Sequence, residues 1–339
     1  MTTPLPFLRE HAPQYGPAEQ VSPLIRRVTA RNPSPFTYRG TGTYIVGRGR
    51  VAVIDPGPLL PDHVAALLRA VEGETVTHIL VTHTHADHSP AAAPLKAATG
   101  APTYGFGPHG SGQTRIVEGH FGGGPFEEGG DRTFVPDLTM RTGDAVEGGG
   151  WRLEAVHTPG HTSNHLCFAL PEEKALFTGD HIMGWSTTAI GPPDGDMAAY
   201  KASLRLLLGP DAEISVPGMG NDPESQANVS ETTANAGRMS MSNVELYWPT
   251  HGPAIREPRK LVRAYLLHRL EREAGILKVL GDGVKTIPEM VARLYVGLDP
   301  RLAGAAGRSV LAHLVELSDR GLVAVDGPLS PSAHYRLKA

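Results

Sequence analysis

Residues 83–88 read "HTHADH", so four side chains able to bind a metal fall within six positions. Histidine is the commonest metal ligand and aspartate a hard companion, which lets such a run serve two metals at once. In an extended segment His83 and His85 point the same way, because side chains alternate with period two. Asp87 and His88 lie past the strand end, where a turning loop can aim them at a neighbouring position. Three further candidates follow apparent strand ends downstream: His161 in "HTPGHTSNH", Asp180 in "LFTGDHIMG" and His251 in "YWPTHGP". Each sits in a glycine-containing loop that allows close approach of the backbone. Five His and two Asp are enough for two metals sharing a bridging carboxylate and a bridging water.

The elements that must position these residues are legible from periodicity. "TYIVG" (43–47) and "VAVID" (51–55) flank a tight turn and read as a hairpin, broken by Asp55-Pro56-Gly57. Residues 61–73 have helical spacing and end on a glycine stop. "HILV" (78–81) is a strand that delivers the chain into the His cluster, and 89–100 reads as a helix despite Pro94. Strand, polar loop and helix frame a site well, since ligands gather where strands end. Residues 105–150 are glycine-rich and read as loops and edge strands. Three strands are expected at 152–158, 165–170 and 174–180, and a helix at 197–208. The stretch 209–245 is polar and aperiodic, a long loop expected as disorder or insertion.

From Glu257 the character changes to a long amphipathic helix. Thr286-Ile287-Pro288-Glu289 resembles a capping box opening a second helix. A third helix at 307–321 and two short strands at 322–327 and 334–338 complete the pattern of a winged helix. The expected division is therefore a catalytic domain over 1–256 and a winged-helix-like domain over 257–339.

The chain has 339 residues, 31 Lys+Arg and 35 Asp+Glu, for a net charge of −4. Residues 256–339 carry +5 and the remainder −9, a mildly basic tail on an acidic body. No apolar run approaches the ~18 residues needed to span a bilayer. The N-terminus shows no basic region followed by an apolar core, so no signal peptide is expected. A single cysteine, Cys167, excludes an internal disulfide framework and suits a reducing cytoplasm, where it reads as a small buried residue.

The series "HTHADH", "HTPGHT", "TGD" and "THGP", in that order, resembles the metallo-β-lactamase superfamily of metallohydrolases across residues 40–255. The tail "HRLEREAGILKVL…SVLAHLVELSDRGLVA" resembles the branch typified by β-lactamase-like protein 2, which ends in a winged-helix-like domain. The resemblance implies an α/β fold, a four-layer αββα sandwich with a small winged helix appended. The 209–245 stretch departs from that branch, whose members have a short connection there. It further implies that His83, His85 and His161 hold one metal, that Asp87, His88 and His251 hold the other, and that Asp180 bridges. Asp87 and Asp180 are then the catalytic carboxylates. Asp55 resembles the family's acid that orients a ligating imidazole, with a plain strand-ending turn as the equal alternative. In "HTPGH" the family's ligand is the second His, which leaves His157 a supporting role; His165, His109 and His120 read as loop residues. His181 and Trp185 are candidates for a pocket wall, though Trp185 packed under its loop is the plainer reading.

Two divalent ions lower the pKa of a bridging water from about 15.7 toward ~7, which makes hydroxide available at neutral pH. Zinc is favoured by the His-rich, cysteine-free set, with iron or manganese compatible with the carboxylates. True β-lactamases of the superfamily generally lack the bridging Asp, so Asp180 points to other hydrolases. Capped nuclease branches do not fit, since only 71 positions separate Asp180 from His251. Nor does the tail resemble the helical glutathione-binding end of a glyoxalase II. The leading expectation is a hydrolase of a small-molecule thioester, ester, lactone or amide. The alternative is a single-strand endoribonuclease whose basic tail grips RNA. The acidic body favours the first. The third helix has few basic residues for reading DNA and is expected to pack on the catalytic domain or on a second copy in a homodimer.

Overall fold

Two sheets carry the structure, a computed structural model that describes residues 5–113, 129–209 and 240–338. The first sheet runs, in order, β1 (Glu19–Gln20), β2 (Ile25–Thr29), β3 (Gly42–Arg48), β4 (Arg50–Ile54), β5 (Thr75–Leu80), β6 (Thr103–Gly105) and β7 (Leu138–Thr139). The second comprises β8 (Ala145–Gly148), β9 (Trp151–His157), β10 (Leu166–Leu170), β11 (Ala175–Gly179) and β12 (Leu246–Pro249), again side by side in chain order. Pairing switches from antiparallel to parallel at β4–β5 and at β11–β12. At both places the chain must leave the sheet and return: the first crossover carries Asp55 and the second Asp180 and Trp185, while His83–His88 follow β5, His161 lies between β9 and β10, and His251 follows β12.

Alternation along the strands feeds separate cores. Tyr44, Val46, Ala52 and Ile54 meet Phe168, Leu170 and Phe177 of the second sheet, while Ile45, Val51 and Val53 face the opposite way. That outer face is covered by Ala66 and Leu67 of α1 (Pro61–Ala70) and by Ala92 and Leu95 of α2 (Ala92–Thr99). The outer face of the second sheet, including Cys167, Ala169 and Leu176, is covered by α3 (Met197–Leu208) and α4 (Pro258–Gly281). Helices on sheet on sheet on helices is the four-layer sandwich expected from the sequence.

Element boundaries moved in instructive ways. The β-branched run Thr75-Val76-Thr77 starts β5 three residues ahead of the expected strand. Pro94 is tolerated in α2 because it falls in the first turn, where its missing N–H has no helical partner to lose, and Gly100 ends the helix at φ 73°. Residues 210–239, most of the 209–245 stretch, lie outside the described residues.

The C-terminal part is built from the end of α4, α5 (Ile287–Leu294), α6 (Ala303–Asp319) and the antiparallel pair β13 (Val323–Asp326) and β14 (His334–Leu337). The Glu289 carboxylate accepts from the Thr286 N–H at 3.1 Å, the reach-back of a capping box. Helix α6 begins four residues before its expected start, since Gly304 and Gly307 weaken the helical signal there. Among the described residues no helix is long and apolar enough to cross a membrane.

No linker separates the two parts at residue 257. The first half of α4, through Leu261, Val262, Tyr265 and Leu266, belongs to the core over the second sheet, and its second half, through Ile276, Val279 and Leu280, belongs to the winged-helix core. A buried charge cluster ties α6 to the same place. Lys201 of α3 pairs with Glu273 of α4 at 2.5 Å and with Glu316 of α6 at 2.6 Å, all three nearly solvent-free. Arg320 reaches Glu273 from the rim at 2.5 Å. Removing the lysine would take from Glu316 its close cation and leave Glu273 with Arg320 alone, which is far costlier than losing an exposed pair. Lys201→Ala is expected to lower stability by about 3–5 kcal/mol, measured by urea denaturation of the full chain; a loss below ~1 kcal/mol would show that water reaches this cluster.

Candidate metal centre

The site is organised from behind by Asp55, which leaves β4 at φ 49° in the Asp-Pro-Gly turn. Its Oδ1 accepts from the Thr82 N–H at 2.8 Å, just after β5, and its Oδ2 accepts from the Thr82 hydroxyl at 2.8 Å. The same Oδ2 accepts from the Thr250 hydroxyl, after β12, at 3.1 Å and pairs with His88 Nδ1 at 3.0 Å. One buried carboxylate therefore ties three strand ends and directs His88 Nε2 forward. Asp55 thus both ends its strand in a turn and bonds a ligand-type imidazole.

In front of Asp55 the sequence candidates converge. His83 Nε2 and His161 Nε2 lie 3.0 and 3.1 Å from His85 Nδ1. Asp87 Oδ2 lies 3.4 Å from His88 Nε2 and 3.2 Å from His251 Nε2. Asp180 stands between the two groups, 3.5 Å from His88 Nε2, 3.4 Å from His251 Nε2 and 3.8 Å from His161 Nε2. Three more rear nitrogens are held: His83 Nδ1 by the Thr82 hydroxyl, His161 Nδ1 by the Ala189 carbonyl and His251 Nδ1 by the Gly40 carbonyl. Fixing the rear nitrogen fixes the tautomer and ring orientation that metal ligation needs.

The donor set fits divalent cations. Asp87 Oδ1 is buried without a hydrogen-bond partner, and Asp180 Oδ1, His88 Nε2 and His251 Nε2 are buried with only long ion-pair approaches of 3.2–3.5 Å, an arrangement otherwise costly in a dry interior. Compact groups of ligand atoms are formed by His83, His85 and His161, by Asp87, His88 and His251, and by His83, His88 and Asp180. Electrostatics agree. Burial, then the neighbouring His88, His85 and His161, hold the His83 pKa well below its usual value. Burial also opposes charge on His88 and His251, yet Asp87 and Asp180 override it and push both well above the usual range. The carboxylates thus demand positive charge at this point, which a bound metal would supply.

Two supporting groups escaped sequence reasoning. Thr41 donates its hydroxyl to Asp87 Oδ2 at 2.9 Å. His165, read as a loop residue, is fully buried and its Nε2 accepts the Asp180 N–H at 3.2 Å, while its Nδ1 meets the Thr158 hydroxyl at 2.9 Å. A side chain on Gly179, at φ 49°, would lie 2.6 Å from that His165 nitrogen, so the glycine of "TGD" admits both the turn and its support. Nothing in the spacing marks either role.

The remaining candidates sort as follows. Trp185 lines a cleft beside His161 and stacks on Tyr38 at 4.8 Å. His181 is a correction: the Thr-Gly-Asp turn that swings Asp180 inward sends the next side chain under α3. There its ring packs 4.8 Å from Tyr200, and burial pushes its pKa down to about 3. His157 bonds the Ser163 carbonyl and stacks on Phe106. His109 bonds the Thr84 hydroxyl at the site's mouth, and His120 lies outside the described residues.

This fold and site define a class. The family model of the metallo-β-lactamase superfamily matches residues 38–219, and that of the β-lactamase-associated winged helix domain matches residues 286–328. An atrochrysone carboxyl ACP thioesterase from Aspergillus terreus is 30% identical over 342 residues, covering 95% of this chain and 88% of that protein. A lactamase-like protein from Pestalotiopsis microspora is 35% identical over 212 residues, or 61% of this chain and 58% of that one. Among solved structures, a β-lactamase domain protein from Burkholderia ambifaria superposes with a TM-score of 0.68 at 19% identity, covering 98% of this chain and 97% of that one. The chain belongs to the metallo-β-lactamase superfamily and is a hydrolase of that fold with a winged helix domain at its C-terminus.

Because Asp55 holds His88 and two flanking threonines together, Asp55→Ala is expected to weaken affinity for Zn²⁺ by about 10–100-fold. Competition with a chromophoric chelator checks this; unchanged affinity would mean that the turn alone positions His88.

Proposed function

We propose that the protein hydrolyses an acyl thioester at a two-metal centre. His83, His85 and His161 would hold one divalent ion, Asp87, His88 and His251 the other, and Asp180 would lie between them. The observation that carries the reading is the convergence of seven ligand-type side chains, several with unsatisfied buried atoms, beside a cleft lined on one side by apolar residues. The thioesterase relative, aligned over 95% of this chain, supports a thioester among the bonds such a centre can cut. Bound ions would supply an activated water near neutral pH and polarise the carbonyl oxygen, with zinc suited to the His-rich set and iron or manganese to its carboxylates.

The chain's own residues do the rest. In the net reaction the water oxygen bonds to the carbonyl carbon, the carbon–sulfur bond breaks, and the departing thiolate takes a proton from the water. Asp87 is anchored through Oδ2 by Thr41, which leaves Oδ1 to hold that proton in transit. Asp180 is anchored through its backbone by His165, so its carboxylate is presented without its own chain having to reorganise. Cys167 takes no part: it is buried and burial pushes its thiol up to about 12. That unpaired cysteine fits the reducing cytoplasm as the compartment.

Asp180→Ala is expected to lose bound metal and turnover together while the far-UV circular dichroism spectrum persists. Full turnover with two metals retained would overturn the assignment. Substrate class is tested on the metal-loaded protein with thioesters, aryl esters, lactones, a β-lactam and labelled single-stranded RNA. Thioester turnover without RNA cleavage supports the proposal; RNA cleavage with a steep salt dependence and no thioester turnover would replace it with the nuclease reading.

A further inference from the structure

Two cavities border the metal centre at His161, and the winged helix domain walls both of them. One, of about 450 Å³, is lined by Phe36, Met183, Trp185, Tyr295, Leu298 and Leu302, among others. The other, of about 150 Å³, is lined by His85, His109, Arg132, Asp194 and Arg308. Phe36, His161, Ala189 and Ala305 line both, so the two cavities adjoin at the ligand-type His161 and can be read as two arms. The first arm is walled mainly by apolar residues, with Asp299, Ser186, Thr187, Thr188 and Ser309 among its polar lining. Its one arginine, Arg269, is engaged by the Thr188 carbonyl and the Tyr200 ring, and burial, with Arg269 and Arg272, pushes His268 down to about 3 and leaves it neutral. The second arm is polar.

The divider is the start of α6. Leu302, Ala306 and Ser309 line the apolar arm, Arg308 lines the polar arm, and Ala305 lines both. Residues three and four apart share a helix face, so 302, 306 and 309 form one stripe and 305 and 308 the adjoining one. A side-chain carbon on Gly191 would lie 3.1 Å from the Arg308 Cβ, which shows that α6 sits directly on the 189–195 loop beside the ligands. The buried Lys201–Glu316 pair, two turns further along the same helix, holds α6 at that height.

Resting on the thioesterase reading, we propose that α6 of the winged helix domain is a specificity element. It directs a bulky, ring-bearing acyl group into the arm of Trp185, Tyr295 and Ala306, and an amide-bearing, pantetheine-like thiol into the arm of Arg308. The carbonyl then falls at the junction beside His161. Aromatic and apolar walls select the acyl group by area buried, while an arginine donor beside the departing sulfur recognises an amide oxygen.

The test is a two-by-two panel on the metal-loaded full chain: acetyl and 2-naphthoyl groups, each as the ethanethiol and the N-acetylcysteamine thioester. Ala306→Trp is expected to lower kcat/KM for both naphthoyl substrates by at least about tenfold and to leave both acetyl substrates within about twofold. Leu298→Ala, which removes bulk from a partly buried position, should shift the naphthoyl-to-acetyl ratio the opposite way. Arg308→Ala should cost about tenfold on both N-acetylcysteamine thioesters, through KM, and leave the ethanethiol ones unchanged. Uniform loss across all four substrates in Ala306→Trp and Arg308→Ala, with no change of ratio in Leu298→Ala, overturns the two-arm assignment while leaving the thioesterase reading intact. Absence of turnover by the unaltered protein on all four overturns both.

Discussion

The carboxylate of Asp55 is the interaction on which the site depends. It accepts from the Thr82 N–H and hydroxyl, from Thr250 and from His88, and so joins the ends of β4, β5 and β12 to one ligand-type imidazole. These strands come from both sheets, so their ends could separate without any strand breaking. A shared buried anion prevents that, because each donor left unpaired in this dry interior would cost far more than a surface hydrogen bond. Asp55 touches none of the reacting chemistry. It decides where His88 points and, through Thr82, where His83 begins.

The layers around it explain why the centre can be rigid and reached at once. The strand faces are packed into three sealed cores, and the ligand loops emerge only where the chain leaves a sheet. Helix α4 runs unbroken from the catalytic core into the winged-helix core, and the Lys201, Glu273 and Glu316 cluster crosses the same boundary. The C-terminal helices are therefore a fixed wall of the cleft rather than a tethered module. A winged helix so placed lines the cavities beside the centre.

How much of this was legible in the sequence differed by residue. His83, His85, Asp87 and His88 stand out because four ligand types in six positions after an apolar strand have few other uses, and His161, Asp180 and His251 follow the same strand-end logic. Asp55 was recognised by likeness and explained by its hydrogen bonds. His165 and Thr41 were invisible, since a buried His or Thr behind a ligand is set by sheet packing and leaves no periodic mark. His181 was misplaced because adjacency to Asp180 in sequence becomes opposition in space across a tight turn. Trp185 falls on the cleft wall, yet it also stacks on Tyr38, so both of its readings describe one position.

By itself the sequence determined the chemistry on offer and the local elements that present it. Residue type sets which atoms can bind a cation, and hydrophobic period sets which segments are strands or helices. Only the tertiary structure decided which ligand atoms meet, which buried groups stand behind them, and that α6 lines both cavities beside them. Those outcomes depend on contacts between residues far apart in the chain, such as Asp55 with Thr250 and Gly191 with Arg308. No periodicity encodes such contacts, because they are fixed by the packing of whole layers.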